Sequence, residues 1–388
     1  MPNSPAIPAK ITKFEAIMVG ATWNNYLFIR LHADNGMTGL GEATMQWQAR
    51  TVASAADHLI KRYVLGADPF AIERTVALMY REEYARGGPT LNSAIAGIDM
   101  AMWDLCGKLT GQPVYNLLGG KVRDSVPAYA NGWFAGATTP QEWATAAANV
   151  VARGYGAMKF DPFWPDARDP EPARIAAGIE IIAAVRDAAG ASTRLLIDGH
   201  GRFSPGTANE IAHRMAEFDI HWFEEPIDPE NHAMLARLHR PGGMRIATGE
   251  RCWSRYQMPQ LIETGKPDVV QPDIVQVGGI LESKKIAAIA DSHYLPVSFH
   301  NPFGPVATAA AIQLDANVTN IYLQESFCEF DADLRHKLVR NGPCPANGAY
   351  DVPDLPGLGG VELDDEVAAE HPYREDARIS IWNDSGEF

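Results

Sequence analysis

The chain has 388 residues, of which 46% are hydrophobic, and its formal net charge of −15 places the pI near 5.2. That apolar content excludes a disordered chain, and the acidity speaks against nucleic acid or an anionic membrane surface as a partner. No apolar run reaches the roughly 18 residues a membrane span needs. The length suits a barrel of about 250 residues with a smaller companion domain. Met1-Pro2-Asn3-Ser4-Pro5 lacks a basic segment followed by an apolar one, so no secretory signal is expected. Cys106, Cys252, Cys328 and Cys344 are widely spaced and form no Cys-x-x-Cys pair, so they read as reduced thiols of a cytoplasmic protein.

In chain order, residues 26–32 are rich in β-formers, and Asp34-Asn35-Gly36 follows before a second extended stretch to Glu42. Asn-Gly between two such runs predicts a hairpin with a type I′ turn. Helices are expected over roughly 50–65, 70–86 and 91–109, the last buried, which makes the block an α+β unit. From about Val126 the pattern changes to short apolar runs that end in charged residues and alternate with helical stretches such as 173–189 and 206–218. Unalternated apolar runs between helices imply parallel strands buried on both faces. Polar strand ends fall at 198, 224, 250, 273, 300 and 325, in steps of 26, 26, 23, 27 and 25. One strand, one helix and two short loops need about that length. The division expected is 1–125 for the N-terminal unit, 126–345 for the barrel, and a Pro/Gly-rich tail 346–388 that returns to the first unit.

Active sites of such barrels lie at the strand C-termini. Asp198, Glu224 and Glu250 end three consecutive strands, and carboxylates that close repel one another unless a cation lies between them. All-oxygen ligation favours Mg²⁺ over Zn²⁺; the alternative is that these acids cap the helices that follow. Asp273 beside His300 would fix that ring's tautomer and raise its basicity, as a general base requires; otherwise His300 is a structural histidine. His200 lies two residues beyond Asp198 and would face the same way on a strand, where it could protonate a leaving hydroxyl or merely solvate the rim. Glu325 could hydrogen-bond a developing oxyanion if it carries a proton.

The series Lys159, Ile197-Asp198-Gly199-His200-Gly201-Arg202, Phe223-Glu224-Glu225-Pro226, Thr248-Gly249-Glu250-Arg251, Gln271-Pro272-Asp273 and His300 resembles the mandelate racemase branch of the enolase superfamily. The hairpin 35–42, the stretch 97–104 and the tail's Leu355-Pro356-Gly357-Leu358-Gly359 resemble that family's capping domain. Asp-x-His-Gly-Arg at 198–202, Glu-Arg at 250–251 with Ser254-Arg255, and Trp382-Asn383-Asp384-Ser385 are most similar to its aldonic-acid dehydratases.

The resemblance implies an α/β fold, a (β/α)7β TIM barrel with an α+β capping domain built from the N-terminal block and the tail. It implies Mg²⁺ on Asp198, Glu224 and Glu250, with His300 as base, Asp273 as its partner, His200 as acid and Glu325 as stabiliser. The expected reaction dehydrates a sugar acid, D-galactonate or a related aldonate, to a 2-keto-3-deoxy acid in a homo-oligomeric enzyme. Racemases of the branch are expected to carry Lys-x-Lys on the second strand; here Lys159 is followed by Phe160 and Asp161. Lys159 then binds the substrate carboxylate or pairs with Asp161. Trp23, Asn24 and Trp47 lie on loops where the family's caps close the mouth; they contact substrate or pack the domain interface. An epimerase or cycloisomerase, or a silent sugar-acid-binding paralogue, are the competing readings.

Overall fold

The computed structural model describes residues 9–163, 167–327 and 332–377. Cys328 and the stretch Trp382-Asn383-Asp384-Ser385 lie outside them.

The chain opens with an antiparallel sheet of β1 (Ile11–Gly20), β2 (Asn25–Ala33) and β3 (Thr38–Glu42), in the order β1-β2-β3. The hairpin forms where expected, but not with the expected turn. Asn35 keeps an ordinary negative φ and Gly36 alone turns positive, at 85°. A type I′ turn needs positive φ at both central residues; this is a three-residue loop with glycine in the left-handed position. Helices Ala49–Leu59, Ile72–Arg81 and Pro89–Thr110 follow. The last starts on a proline, ends at left-handed Gly111 (φ 66°) and is mostly buried. It lies directly on β3, because a Cβ at Gly39 or Gly41 would sit 2.0 Å from a carbonyl oxygen of that helix.

The second sheet is parallel, in the order β10-β4-β5-β6-β7-β8-β9. Its strands are β4 (Ser125–Ala130), β5 (Ala157–Phe160), β6 (Arg194–Asp198), β7 (Ile220–Glu224), β8 (Arg245–Thr248), β9 (Val269–Val270) and β10 (Gln324–Ser326). Long helices such as 140–152, 172–189 and 280–291 connect them. Between β9 and β10 the ring closes through parallel bridges Val270↔Val297 and Val297↔Ile321. The stretch 296–302 is an irregular stave, since Pro296 and Pro302 have no N–H to donate. Buried Tyr129, Leu196, Trp222, Ala247 and Val269 fill the barrel interior. The result is the α/β barrel with an N-terminal cap.

The even spacing of polar residues marks the barrel mouth and not the last residue of each strand. Asp198 and Glu224 do end β6 and β7, but β8 stops at Thr248 and β9 at Val270, so Glu250 and Asp273 stand on the loops beyond. The tail also divides its contacts. Ala349–Asp351 pairs antiparallel with β4 on the barrel before Leu358 N donates to Asp104 Oδ1 (2.9 Å) in the N-terminal block.

Two buried acids of the N-terminal block lock onto barrel helices. Glu42 accepts from the backbone N–H groups of Gly304 (2.6 Å), Val306 (3.1 Å) and Ala307 (2.8 Å), at the start of helix Pro305–Asn317. Asp99 accepts from Ile280 (2.7 Å) and Leu281 (3.3 Å), at the start of helix Ile280–Asp291. Each satisfies orphan donors that a helix N-terminus leaves. Glu42→Ala is expected to lower stability by about 2–4 kcal/mol in urea denaturation, because at least two buried N–H groups lose their acceptor; a change within experimental error would contradict the clamp.

Candidate active site

A cavity of about 470 Å³ opens at the C-terminal ends of the barrel strands, and Lys159, Asp161, Asp198, His200, Glu250 and His300 all line it. Trp23 and Trp47 line it from the N-terminal block, together with Phe134, Trp253 and Phe327, and Trp23 meets Phe327 edge-on with ring centroids 5.7 Å apart. Aromatic faces of this kind suit the C–H surfaces of a sugar chain.

The register Asp198↔Glu224 and Glu224↔Ala247 sets the first two carboxylates side by side with Glu250 three residues past Ala247. Glu224 is wholly buried: Oε1 takes the Lys159 ammonium (2.5 Å), and Oε2 takes Gln271 Nε2 (2.8 Å) and Trp222 Nε1 (3.1 Å). Lys159 Nζ also lies 3.0 Å from Glu325 and 3.3 Å from Asp198. Burial, with repulsion from Asp198, Glu250 and Glu325, pushes the Glu224 carboxyl up to about 8 despite the lysine. Burial also works against charge on Asp198, but His200 and Lys159 hold it below the usual carboxylate range. Three carboxylates thus share one lysine. Among the described residues, no three His, Cys, Asp or Glu side chains are drawn together into a closed metal-binding cluster. The donor chemistry nevertheless fits a hard divalent ion: all oxygen, excess negative charge, and two of the three carboxylates, Asp198 and Glu250, lining the cavity.

His300 Nδ1 lies 2.6 Å from Asp273 Oδ2, and its Nε2 lies 3.3 Å from Glu250. Asp273 is fully buried, and its other oxygen accepts from the N–H groups of Val275 (2.8 Å) and Gln276 (2.9 Å). Burial disfavours charge on the imidazole, but Glu250, Asp273 and Glu325 outweigh it and lift His300 to about 10. Neutralising Glu250 is what would return His300 to a proton acceptor.

His200 faces the cavity for a reason other than strand alternation. β6 has already ended at Asp198, and His200 takes a left-handed φ of 48°. Its N–H donates to Asp198 Oδ1 (2.8 Å), and its carbonyl accepts from Arg251 Nη2 (3.0 Å). Its ring Nδ1 lies 2.8 Å from Asp161 Oδ2. Burial lowers this imidazole, while Asp198 and Asp161 more than compensate and raise it.

Other expectations change. Lys159 does not pair with Asp161: it spans carboxylates and is 2% exposed. Asp161 has no oxygen free for substrate, since Arg202 Nη2 reaches both (2.8 and 2.7 Å) and Phe163 N–H donates to one (3.0 Å). Glu325 is held ionised: burial opposes its charge, but Lys159 and His300 prevail, and Asn131 Nδ2 (2.7 Å) and Asn301 N–H (2.6 Å) donate to it. An acceptor so placed has no proton to give an oxyanion. Asn24 lies behind the wall, its Oδ1 accepting from the N–H groups of Asn25 (2.9 Å) and Trp47 (3.2 Å). Gln271 and Arg251 stood in the sequence motifs without a role, and Asn131 was missed by the sequence reading. Extending the strand-end series two staves back, past β5 to the end of β4, reaches Asn131, and strand alternation from Asp273 reaches Gln271.

Residues 142–367 match the enolase C-terminal domain-like family, and residues 9–119 match the mandelate racemase/muconate lactonizing enzyme N-terminal domain. The chain belongs to the mandelate racemase/muconate lactonizing enzyme family of the enolase superfamily. It is 37% identical to a D-gluconate dehydratase of Thermoproteus tenax, over 87% of this chain and 68% of that one. A D-galactonate dehydratase of Ralstonia pickettii is 34% identical over 96% of this chain and 97% of its own. The crystal structure of an enolase superfamily member from Salmonella Typhimurium superposes with a TM-score of 0.88 at 29% identity, covering 94% of this chain and 99% of that one. On the second barrel strand this chain offers a single lysine, wholly engaged among carboxylates.

Proposed function

We propose that this chain dehydrates an aldonic acid, D-galactonate or D-gluconate first among candidates, to the 2-keto-3-deoxy acid with Mg²⁺ as cofactor. The observation that carries this reading is the pair of histidines: His300 and His200 line one cavity, each against its own buried carboxylate and each beside a further carboxylate at the barrel mouth, Glu250 and Asp198. The dehydratase names of the relatives support it. A racemase would need a second base on the opposite face, and Lys159 is instead held among Asp198, Glu224 and Glu325.

Asp198, Glu224 and Glu250 would hold the cation, which when bound supplies Lewis acidity at the substrate carboxylate and offsets charge on the enediolate. His300 Nε2 takes the proton from C2, generating the enediolate. The C3–O bond then breaks with its electron pair leaving on oxygen, and His200 protonates that oxygen to release water. The resulting enol tautomerises to the 2-keto-3-deoxy acid. Asp273 holds the His300 ring by its Nδ1, and the aromatic wall shields the reacting carbons from bulk water. The test is a screen of four- to six-carbon sugar acids with Mg²⁺, scored by 2-keto acid formation. Product from an aldonate is expected; C2-epimer or lactone instead, or no product from any acid, would overturn the reading.

A further inference from the structure

We propose that Asp161 is the positioning residue of a second histidine–carboxylate dyad, which aims the His200 ring at the leaving hydroxyl; this rests on the dehydratase reading above. The two dyads are built alike. Asp273 Oδ2 meets His300 Nδ1 at 2.6 Å, and Asp161 Oδ2 meets His200 Nδ1 at 2.8 Å. In each, Oδ1 accepts from the backbone N–H two residues on, from Val275 (2.8 Å) and from Phe163 (3.0 Å). The same local turn therefore fixes both carboxylates, one past β9 and one directly after β5.

Rigidity follows from burial. Asp161 is 3% exposed, and Arg202, which contacts both its oxygens, is fully buried. Both Asp161 oxygens already accept from Arg202 Nη2, and one also from Phe163 N–H, so the hydrogen shared with His200 is assigned to Nδ1, and Nε2 is the ring nitrogen that exchanges a proton with substrate. The side chain of His200 is 33% exposed, and its backbone is in the left-handed region. A loop histidine in that conformation needs outside restraint to keep one ring orientation, and Asp161 provides it. The departure from Lys-x-Lys thus has a chemical content: where a second base is expected on the second strand, this chain orients an acid.

The test follows two readouts in D₂O with Mg²⁺ and the aldonate the wild type converts. Asp161→Leu is expected to lower kcat for dehydration by about 10²–10⁴-fold, the usual contribution of a general acid. Exchange of the C2 proton should stay within about threefold of wild type, and KM should hardly move. Because Leu leaves Arg202 buried without its counter-charge, Asp161→Leu/Arg202→Met removes both charges and should show the same split. Parallel loss of exchange and dehydration in the folded double variant, or a raised KM with kcat intact, would overturn the proposal. ¹⁵N NMR of His200 separates its failure from that of the dehydratase reading, since it needs no turnover. A wild-type Nδ1–H signature that the double variant loses supports the dyad even if no sugar acid is converted; an unchanged tautomer refutes it.

Discussion

His300→Asn is expected to slow exchange of the substrate's C2 proton with D₂O by at least about 10²–10⁴-fold, and dehydration with it, because the base acts before any other group. The asparagine keeps a polar group of similar size against Asp273, so the fold should survive. His300 is the only cavity-lining imidazole that touches both Asp273 (2.6 Å) and Glu250 (3.3 Å) among the described residues. His200→Asn should instead keep exchange and lose dehydration. Exchange at the wild-type rate in His300→Asn would reassign the base.

Lys159→Met is expected to remove about 3–5 kcal/mol of stability without added metal, as breaking a buried ion pair by removing one partner usually does. Methionine matches the lysine stem in volume, so the loss reports charge and not a cavity. Glu224 Oε1, Glu325 Oε1 and Asp198 Oδ2, all within 3.3 Å of the ammonium, would then face one another uncompensated. Saturating Mg²⁺ should restore part of the loss, about 2.7 kcal/mol at one hundred times its Kd. Urea denaturation with and without Mg²⁺ checks this. A variant as stable as wild type, or a loss that Mg²⁺ leaves untouched, would show that the carboxylates do not share a cation-demanding field.

The barrel was legible because its signal is periodic: polar residues recur every 23 to 27 positions, and parallel strands buried on both faces read as unbroken apolar runs. The pairing of His300 with Asp273 followed from adjacent strand ends. What escaped depended on turns and distant partners. Strand alternation put His200 in the right place for the wrong reason, since its left-handed φ of 48° turns the ring. Asp161 stands two positions from Lys159, and nothing local says that Arg202, 41 residues away, closes on it. Glu42 and Asp99 look like ordinary acids until helices 262 and 181 residues downstream place their first N–H groups on them. An Asn-Gly pair does not by itself decide the turn either: Asn35-Gly36 fits two hairpin loops, and the backbone selects the three-residue one.

Calorimetric titration of the metal-stripped protein asks most directly whether the carboxylates of the barrel mouth, Asp198, Glu224 and Glu250, hold one Mg²⁺ beside His300. One ion per chain is expected to bind the wild type, with affinity at least about tenfold weaker in Glu250→Gln, whose carboxylate opens onto the cavity. No binding to the wild type, or equal affinity in both proteins, would contradict it.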